Sequence, residues 1–360
     1  MSNSSAATMR AAAGIVALAA LLTGCVADAP AGTPTRTAGA SATPTPTATP
    51  THGAAPSSRV PATCDQLVPQ AVVDRAFRVA VKPTSSTTSR TPASYSDERA
   101  GVLTCVWANG PIDHTEGLVY GWVTVVPSAT RAAFDRMLAG SMFSEHEPLA
   151  VASDTDASCG PVQVQWCGFL SYSEDYSVVG GVWDYGEPTQ QSQDAVIAAL
   201  AGAAIPAVRA LPAPEPLWQP AGPTLRGATG CDGLLTVAQV ASVTGWSGVH
   251  ESRSDNGENA SSTLEVNHQV GSYSCLWTAD GDGLVGAEVL PGGASYATST
   301  RPADAADVPG IGDAAFRSGD TLDVIADGAW LQVRVSGGDA SQEQRLALAR
   351  QELANVGYAG

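Results

Sequence analysis

Two stretches of the sequence begin with the same pattern: CDQLVPQAVVDRAF at residues 64–77 and CDGLLTVAQVASVTG at residues 231–245. In each, a cysteine is followed by apolar residues at helical spacing. Cys-x-Trp follows some forty residues later in both places, as LTCVWANG (103–110) and as YSCLWTADG (273–281). An apolar stretch that begins with glycine comes next in both. This repeated order predicts a tandem duplication.

Local patterns indicate a mixed fold for each repeat. Thr236 is a predicted helix cap, and Gln239 completes a capping box with it. Ser341 is the predicted cap of a final helix. Residues 329–335, AWLQVRV, alternate apolar and polar side chains, which is typical of a strand with one buried face. We therefore predict an α+β fold with two similar domains, each an antiparallel sheet packed with an N-terminal and a C-terminal helix and stapled by disulfides.

Composition divides the rest of the chain. Residues 26–60 contain six prolines but no Leu, Ile or aromatic residue, so this segment cannot bury enough apolar surface to fold. A second proline-rich patch, LPAPEPLWQPAGPTLRG, separates the two repeats. The predicted segments are a signal peptide at 1–24, a lipidated cysteine with a disordered stalk at 25–60, a first repeat at 61–210, a hinge at 211–227 and a second repeat at 228–360.

The N-terminal residues predict export and anchoring. Arg10 precedes the apolar run AAAGIVALAALL, which is too short to span a bilayer and is typical of a secretory signal. The run ends in LLTGC, which resembles a bacterial lipobox. We expect Cys25 to be lipidated and to become the new N-terminus, which would place the protein on the cell membrane, facing outside the cytoplasm. The alternative is an ordinary secretion signal with an unrelated cysteine.

The remaining six cysteines form an even set in an exported chain, which favours disulfides over metal or thiol chemistry. Six cysteines allow fifteen pairings, and only the internal repeat selects among them. The repeat predicts the pairs Cys64–Cys105 and Cys231–Cys275, which leaves a local pair, Cys159–Cys167.

The second repeat also resembles a known family. The pattern C-x-x-L-L-T-x-x-x-V from Cys231, the later C-x-W, the segment VPGIGDAAF at residues 308–316 and a closing strand and helix resemble actinobacterial lipoproteins known as domain of unknown function 3558. The likeness covers most of residues 228–357. It extends less fully to residues 61–210, where Val68-Pro69 replaces Leu-Thr. The resemblance implies export and anchoring but no particular activity.

Charge and motifs exclude several function classes. The chain has 18 Lys and Arg against 35 Asp and Glu, a net charge of −17, which argues against nucleic acid as a partner. No catalytic motif is present, and no cofactor is predicted. We predict no metal site, because the histidines lack ligand spacing. Asp280 and Asp282 resemble the start of a calcium loop, but Leu284 and Pro291 occupy later ligand positions, so a turn between strands is expected. The acidic pair Asp320 and Asp323 receives the same interpretation.

Trp107 and Trp277 each follow a paired cysteine by two residues and therefore share its strand face. Packing in the core is the simpler interpretation, and lining a pocket is the functional one. The leading hypothesis is a non-catalytic lipoprotein that binds an unknown ligand or protein in the cell envelope. The alternatives are a cell-wall hydrolase built on two facing carboxylates, which needs no sequence motif, and a purely structural module.

Overall fold

The computed structural model describes residues 57–358, apart from 86–89, 113, 115, 141–146, 149–154, 160–165, 187–188, 221–223, 226–229, 255–261 and 338–339. Cys25 and the predicted stalk up to residue 56 lie outside the described residues. The last residues of the predicted stalk are not disordered, because Arg59 is buried and Val60 packs in the core of the first half. Within the described part, none of the helices has the length and apolar character needed to cross a bilayer.

The first half of the described chain forms one seven-stranded sheet and five helices. In chain order the elements are α1 (Cys64–Leu67), α2 (Gln70–Ala76), β1 (Lys82–Thr84), a short 3₁₀ helix (Ala93–Tyr95), α3 (Ser96–Ala100), β2 (Leu103–Ala108), β3 (Val119–Pro127), α4 (Arg131–Gly140), β4 (Glu147–Pro148), β5 (Thr155–Cys159), β6 (Trp166–Ser173), β7 (Tyr176–Asp184) and α5 (Gln190–Arg209).

The second half forms another seven-stranded sheet and five further helices. Its elements are α6 (Cys231–Leu234), α7 (Val237–Thr244), β8 (His250–Ser254), α8 (Ser262–Val270), β9 (Tyr273–Thr278), β10 (Leu284–Leu290), α9 (Ala294–Ser299), β11 (Ala306–Asp307), β12 (Ala314–Ser318), β13 (Thr321–Ala326), β14 (Ala329–Ser336) and α10 (Gln342–Asn355). The structure is therefore α+β with two antiparallel sheets, as the sequence predicted.

The two sheets have the same strand order. The first runs β1-β2-β3-β7-β6-β5-β4, and the second, counted from its own first strand, runs β8-β9-β10-β14-β13-β12-β11. In both sheets, the last strand in the sequence pairs antiparallel with the third strand at the centre of the sheet.

Helix starts follow their cap residues. Thr236 caps α7, and its hydroxyl accepts the Gln239 backbone N–H at 3.2 Å, which confirms the predicted capping box. The helix stops at Gly245, whose φ of 74° favours glycine. Pro69 stands at the corresponding position before α2 and makes no side-chain cap. A proline does no harm there, because the first N–H groups of a helix have no partner within it.

In each half, the sheet packs against the helices at the start and at the end of that half, and the core lies between them. In the second sheet Leu331, Val333 and Val335 point from β14 into a core shared with residues of α6, α7 and α10. The first sheet packs in the same way against α1, α2 and α5. The strand predicted over residues 329–335 is confirmed as β14, but Trp330 and Gln332 on its other face are buried too.

Two predicted disulfides are present. Cys64 bonds Cys105 and so joins α1 to β2, and Cys231 bonds Cys275 and so joins α6 to β9. Cys167 is also disulfide-bonded. It lies opposite Cys159 in the β5–β6 ladder, but the side chain of Cys159 is outside the described part of the structure.

One predicted turn is only half correct. Asp320 lies between β12 and β13, as expected. Asp323 lies on β13 instead and is completely buried, because a segment of the first half covers this face of the second sheet. Gln332, which the strand pattern left facing solvent, is buried there as well.

The two sheets belong to one compact unit and meet through their middle helices. Helix α3 packs against α8, and a small apolar cluster lies between the halves: Ala100, Val126, Val266, Val270 and Leu290. The side-chain amide of Gln269 also donates to the carbonyl oxygen of Pro127 at 3.0 Å.

Candidate functional site

A cleft of about 450 Å³ opens in the first half between α1, α2 and β1. We call it the Trp107 cleft. Its floor is formed by Val68, Val81 and Trp107, which are all almost fully buried. Ala80 and Pro83 stand exposed at its edge. The cleft surface is therefore mostly apolar, and its volume is in the range of small-molecule sites.

Covalent and backbone links fix the walls of this cleft. The Cys64–Cys105 bridge joins α1 to β2, two residues before Trp107 on that strand. Pro83 on β1 lies directly opposite Trp107 in the ladder. Trp107 both packs in the core and lines the cleft, since it is 2% exposed and forms part of the cleft floor.

Polar side chains surround the apolar floor. The side-chain amide of Gln70 donates to Oδ1 of Asp74 at 2.8 Å and to the carbonyl oxygen of Val81 at 3.2 Å. The Gln70 backbone N–H donates to Oδ1 of Asp65 at 3.2 Å. Oε1 of Gln70 is buried and has no hydrogen-bond partner. Lys82, the only lysine of the sequence, completes the rim.

Sequence reasoning missed this rim. Gln70, Asp74 and Ala80 fall on a helix and a loop whose pattern indicates nothing beyond packing. Lys82 could have been noticed in the sequence, because a lone lysine in an acidic chain is unusual. Only the fold brings it beside Trp107.

Trp277 is the counterpart of Trp107 and has a different environment. It is 1% exposed and does not line the Trp107 cleft, which supports core packing for this residue. Its Nε1 has no hydrogen-bond partner. Glu352 is buried in the same half, also without a partner, and burial raises the pKa of Glu352 well above its usual value.

A second cleft, of about 660 Å³, lies at the β6–β7 turn and is mostly polar. Its lining contains both signs of charge, namely Arg131 and Arg209 with Glu174 and Asp175. Because these charges balance, the cleft favours no particular ion.

A hydrolase would need two carboxylates that face each other across a groove, which the two acids with raised pKa values on α3 do not do. Burial, and then the neighbouring Glu98 carboxylate, raises the pKa of Asp97 to about 6, and burial also raises the pKa of Glu98. The two residues are consecutive on α3, so their side chains leave the helix in different directions. Neither lines the Trp107 cleft or the polar cleft.

No metal centre is visible among the described residues either, since they contain no cluster of three or more His, Cys, Asp or Glu side chains. The loop between β9 and β10 that contains Asp280 and Asp282 is a turn, as predicted. His250 and His268 are exposed and stand apart on β8 and α8.

Comparison of the chain with models of protein families, with curated proteins and with solved structures found no match in any of the three.

Proposed function

We propose that this protein is a lipid-anchored binding protein of the cell envelope that holds a small ligand with an apolar body in the Trp107 cleft. The cleft itself is the observation that carries the proposal: an apolar floor, a polar rim and walls joined by a disulfide. Sites of this kind usually form before the ligand arrives.

Several features support the envelope context. The lipobox-like LLTGC, the stalk composition and the resemblance to actinobacterial lipoproteins all favour export. Disulfides of this kind persist in oxidising compartments outside the cytoplasm. We also propose that the halves are tandem copies of one domain, since strand order, disulfide position and the helix after each first cysteine agree.

Replacing Cys25 with Ala tests the anchor. The variant should be released from membranes because it has no sulfur to acylate, whereas the unchanged protein should stay in the membrane fraction after a carbonate wash. A Cys25→Ala protein that remains membrane-bound would contradict lipidation.

Filling the cleft tests the site. Ala80 is exposed at the cleft edge, so an Ala80→Trp indole should cover the floor and lower the affinity for the uncharged dye Nile red by about tenfold or more, measured by fluorescence titration. The matched control is Ala198→Trp, at an exposed position of α5 outside the cleft. Equal dye affinity in both variants and the unchanged protein would contradict the proposal.

Lys82 offers an independent locating measurement. Lys82 carries the only lysine amine of the sequence and lines the cleft. Bound Nile red should therefore slow the acylation of Lys82 by an amine-reactive reagent, as followed by peptide mass spectrometry. Ala80→Trp should abolish the protection, whereas Ala198→Trp should retain it.

A further inference from the structure

One acceptor on the rim of the Trp107 cleft, Oε1 of Gln70, has no hydrogen-bond donor. Both side-chain N–H groups of Gln70 are directed at acceptors, namely Oδ1 of Asp74 and the carbonyl oxygen of Val81. A flipped amide would place its oxygen against those two acceptors, so the orientation is determined by the contacts. Oε1 of Gln70 therefore remains as a buried acceptor with no partner.

A buried acceptor without a donor is costly, and a ligand that supplies an N–H or O–H group would remove that cost. The charges nearby select among such groups. Asp65 and Asp74 are exposed carboxylates on the cleft lining, against the single cation Lys82. The whole chain, at −17, also attracts cations and repels anions over longer distances.

We propose that the Trp107 cleft selects amphipathic cations, in which a protonated amine contacts the Gln70–Asp74 end and an apolar chain covers Val68, Val81 and Trp107. This inference rests on the proposed function and adds the chemical class of the ligand. An ammonium group has donors only, which matches the acceptors at the Gln70–Asp74 end of the rim.

Three ten-carbon probes that differ only in the head group test the selectivity: decylamine, decanol and decanoate, each used at pH 7 below its micelle-forming concentration. Displacement of Nile red gives the three affinities. Decylamine should bind about tenfold or more tightly than decanoate, because the rim carries two carboxylates, Asp65 and Asp74, against the single cation Lys82.

Rim variants assign the preference to residues. Asp74→Asn and Gln70→Leu should each reduce the advantage of decylamine over decanol by about threefold or more, since the first removes a negative charge and the second removes an acceptor. Lys82→Met removes the cation of the same rim and should strengthen decylamine binding relative to decanoate. Ala198→Trp, at an exposed position outside the cleft, is the control and should leave all three affinities unchanged.

The outcomes separate the two proposals. If decanoate binds as tightly as decylamine and Ala80→Trp weakens both, the head-group inference is overturned and the cleft stands as a binding site. If no probe binds, or if Ala80→Trp affects none of them, the proposed function itself is overturned. An amine preference that survives both Asp74→Asn and Gln70→Leu would also overturn the inference, because the selectivity would then lie elsewhere.

Discussion

Glu352 occupies the position on α10 that Leu200 occupies on α5. Each stands eleven residues after its helix cap, Ser341 and Thr189 respectively, and each is completely buried. Neither carboxyl oxygen of Glu352 has a hydrogen-bond partner. The second half therefore buries an unsatisfied acid where the first half buries a leucine.

Glu352→Leu should stabilise the protein at neutral pH by about 1–3 kcal/mol, because it removes a buried polar group that has no partner. In the folded state the pKa of Glu352 is raised above its usual value of 4.5. As pH rises above about 4.5, the unfolded chain releases this proton before the folded chain does, so the acid costs more stability at pH 7 than at pH 4. Urea unfolding at both pH values measures the difference.

Glu352→Gln is the control for this experiment. It cannot titrate but keeps a buried polar group, so it should remove the pH-dependent part of the effect and give a smaller gain at pH 7. A Glu352→Leu variant no more stable than the unchanged protein at pH 7 would show that Glu352 has partners in solution.

At the scale of elements, caps and disulfides were predictable from short stretches of sequence. The helix after Thr236 and its glycine stop were confirmed because a cap depends on residues within one turn. The two long disulfides were confirmed because the repeat aligned their cysteines. Elements between the repeated motifs were missed: α3, α4, α8 and α9 have weak patterns and owe their stability to the surfaces they cover.

The final helix shows the limit of periodicity. In the sequence of the final helix, the spacing of Leu346, Ala349 and Leu353 predicts an apolar face toward the core of the second half. Ala349 and Leu353 do face the core, but Leu346 is half-buried and Leu348 is fully buried. Glu352 lies three residues after Ala349, on the same face, where a charged residue is not expected. The cleft rim was unpredictable for a related reason, since its residues meet only through the fold.

Removing a long disulfide should cost more than removing any single hydrogen bond. For the Cys231–Cys275 loop, with a sequence separation of 44, chain entropy gives about 4 kcal/mol. The double variant Cys231→Ala, Cys275→Ala should therefore lower the free energy of unfolding by about that amount, measured by urea unfolding. The same change at Cys64 and Cys105 is the matched comparison, because that loop has a separation of 41. A loss below about 1 kcal/mol would show that the unfolded chain is not constrained by the bridge.

At the scale of the molecule, the first half inserts a side chain into the second. Nη1 of Arg90 lies 2.8 Å from Oδ2 of the buried Asp323. Its Nε donates to the carbonyl oxygen of Thr300 at 2.7 Å, at the end of α9. The guanidinium also lies over the rings of Phe316 and Trp330, 5.1 Å from each centroid.

Neighbouring groups complete this contact. Asp323 accepts hydrogen bonds at 2.8 Å from the indole of Trp330 and from the side chain of Gln332. Tyr95 packs its ring against Trp330 and Tyr296. The contact could not be predicted from the sequence, because Arg90 and Asp323 are 233 residues apart and neither belongs to a repeated motif.

On the far side of the same interface, Trp218 of the predicted hinge contacts both halves. The guanidinium of Arg99 lies over its ring, 5.3 Å from the centroid, and its edge lies against Gly292 of the second half. Trp218 therefore contacts α3 of the first half and the segment after β10 of the second.

Arg90→Met tests whether the ion pair holds the halves together. It leaves the fully buried Asp323 carboxylate without its cation, so the free energy of unfolding should fall by about 2–4 kcal/mol. Arg334→Met is the matched control: the Arg334–Asp320 pair has the same 2.8 Å separation but is exposed, so its loss should cost less than about 1 kcal/mol. Hydrogen exchange of peptides from residues 90–102 and 294–301 should accelerate in Arg90→Met alone, because these segments form the two sides of the contact. If both variants lose the same stability and exchange alike, the two halves are held by the apolar cluster between α3 and α8, and the inserted arginine contributes no more than a surface charge.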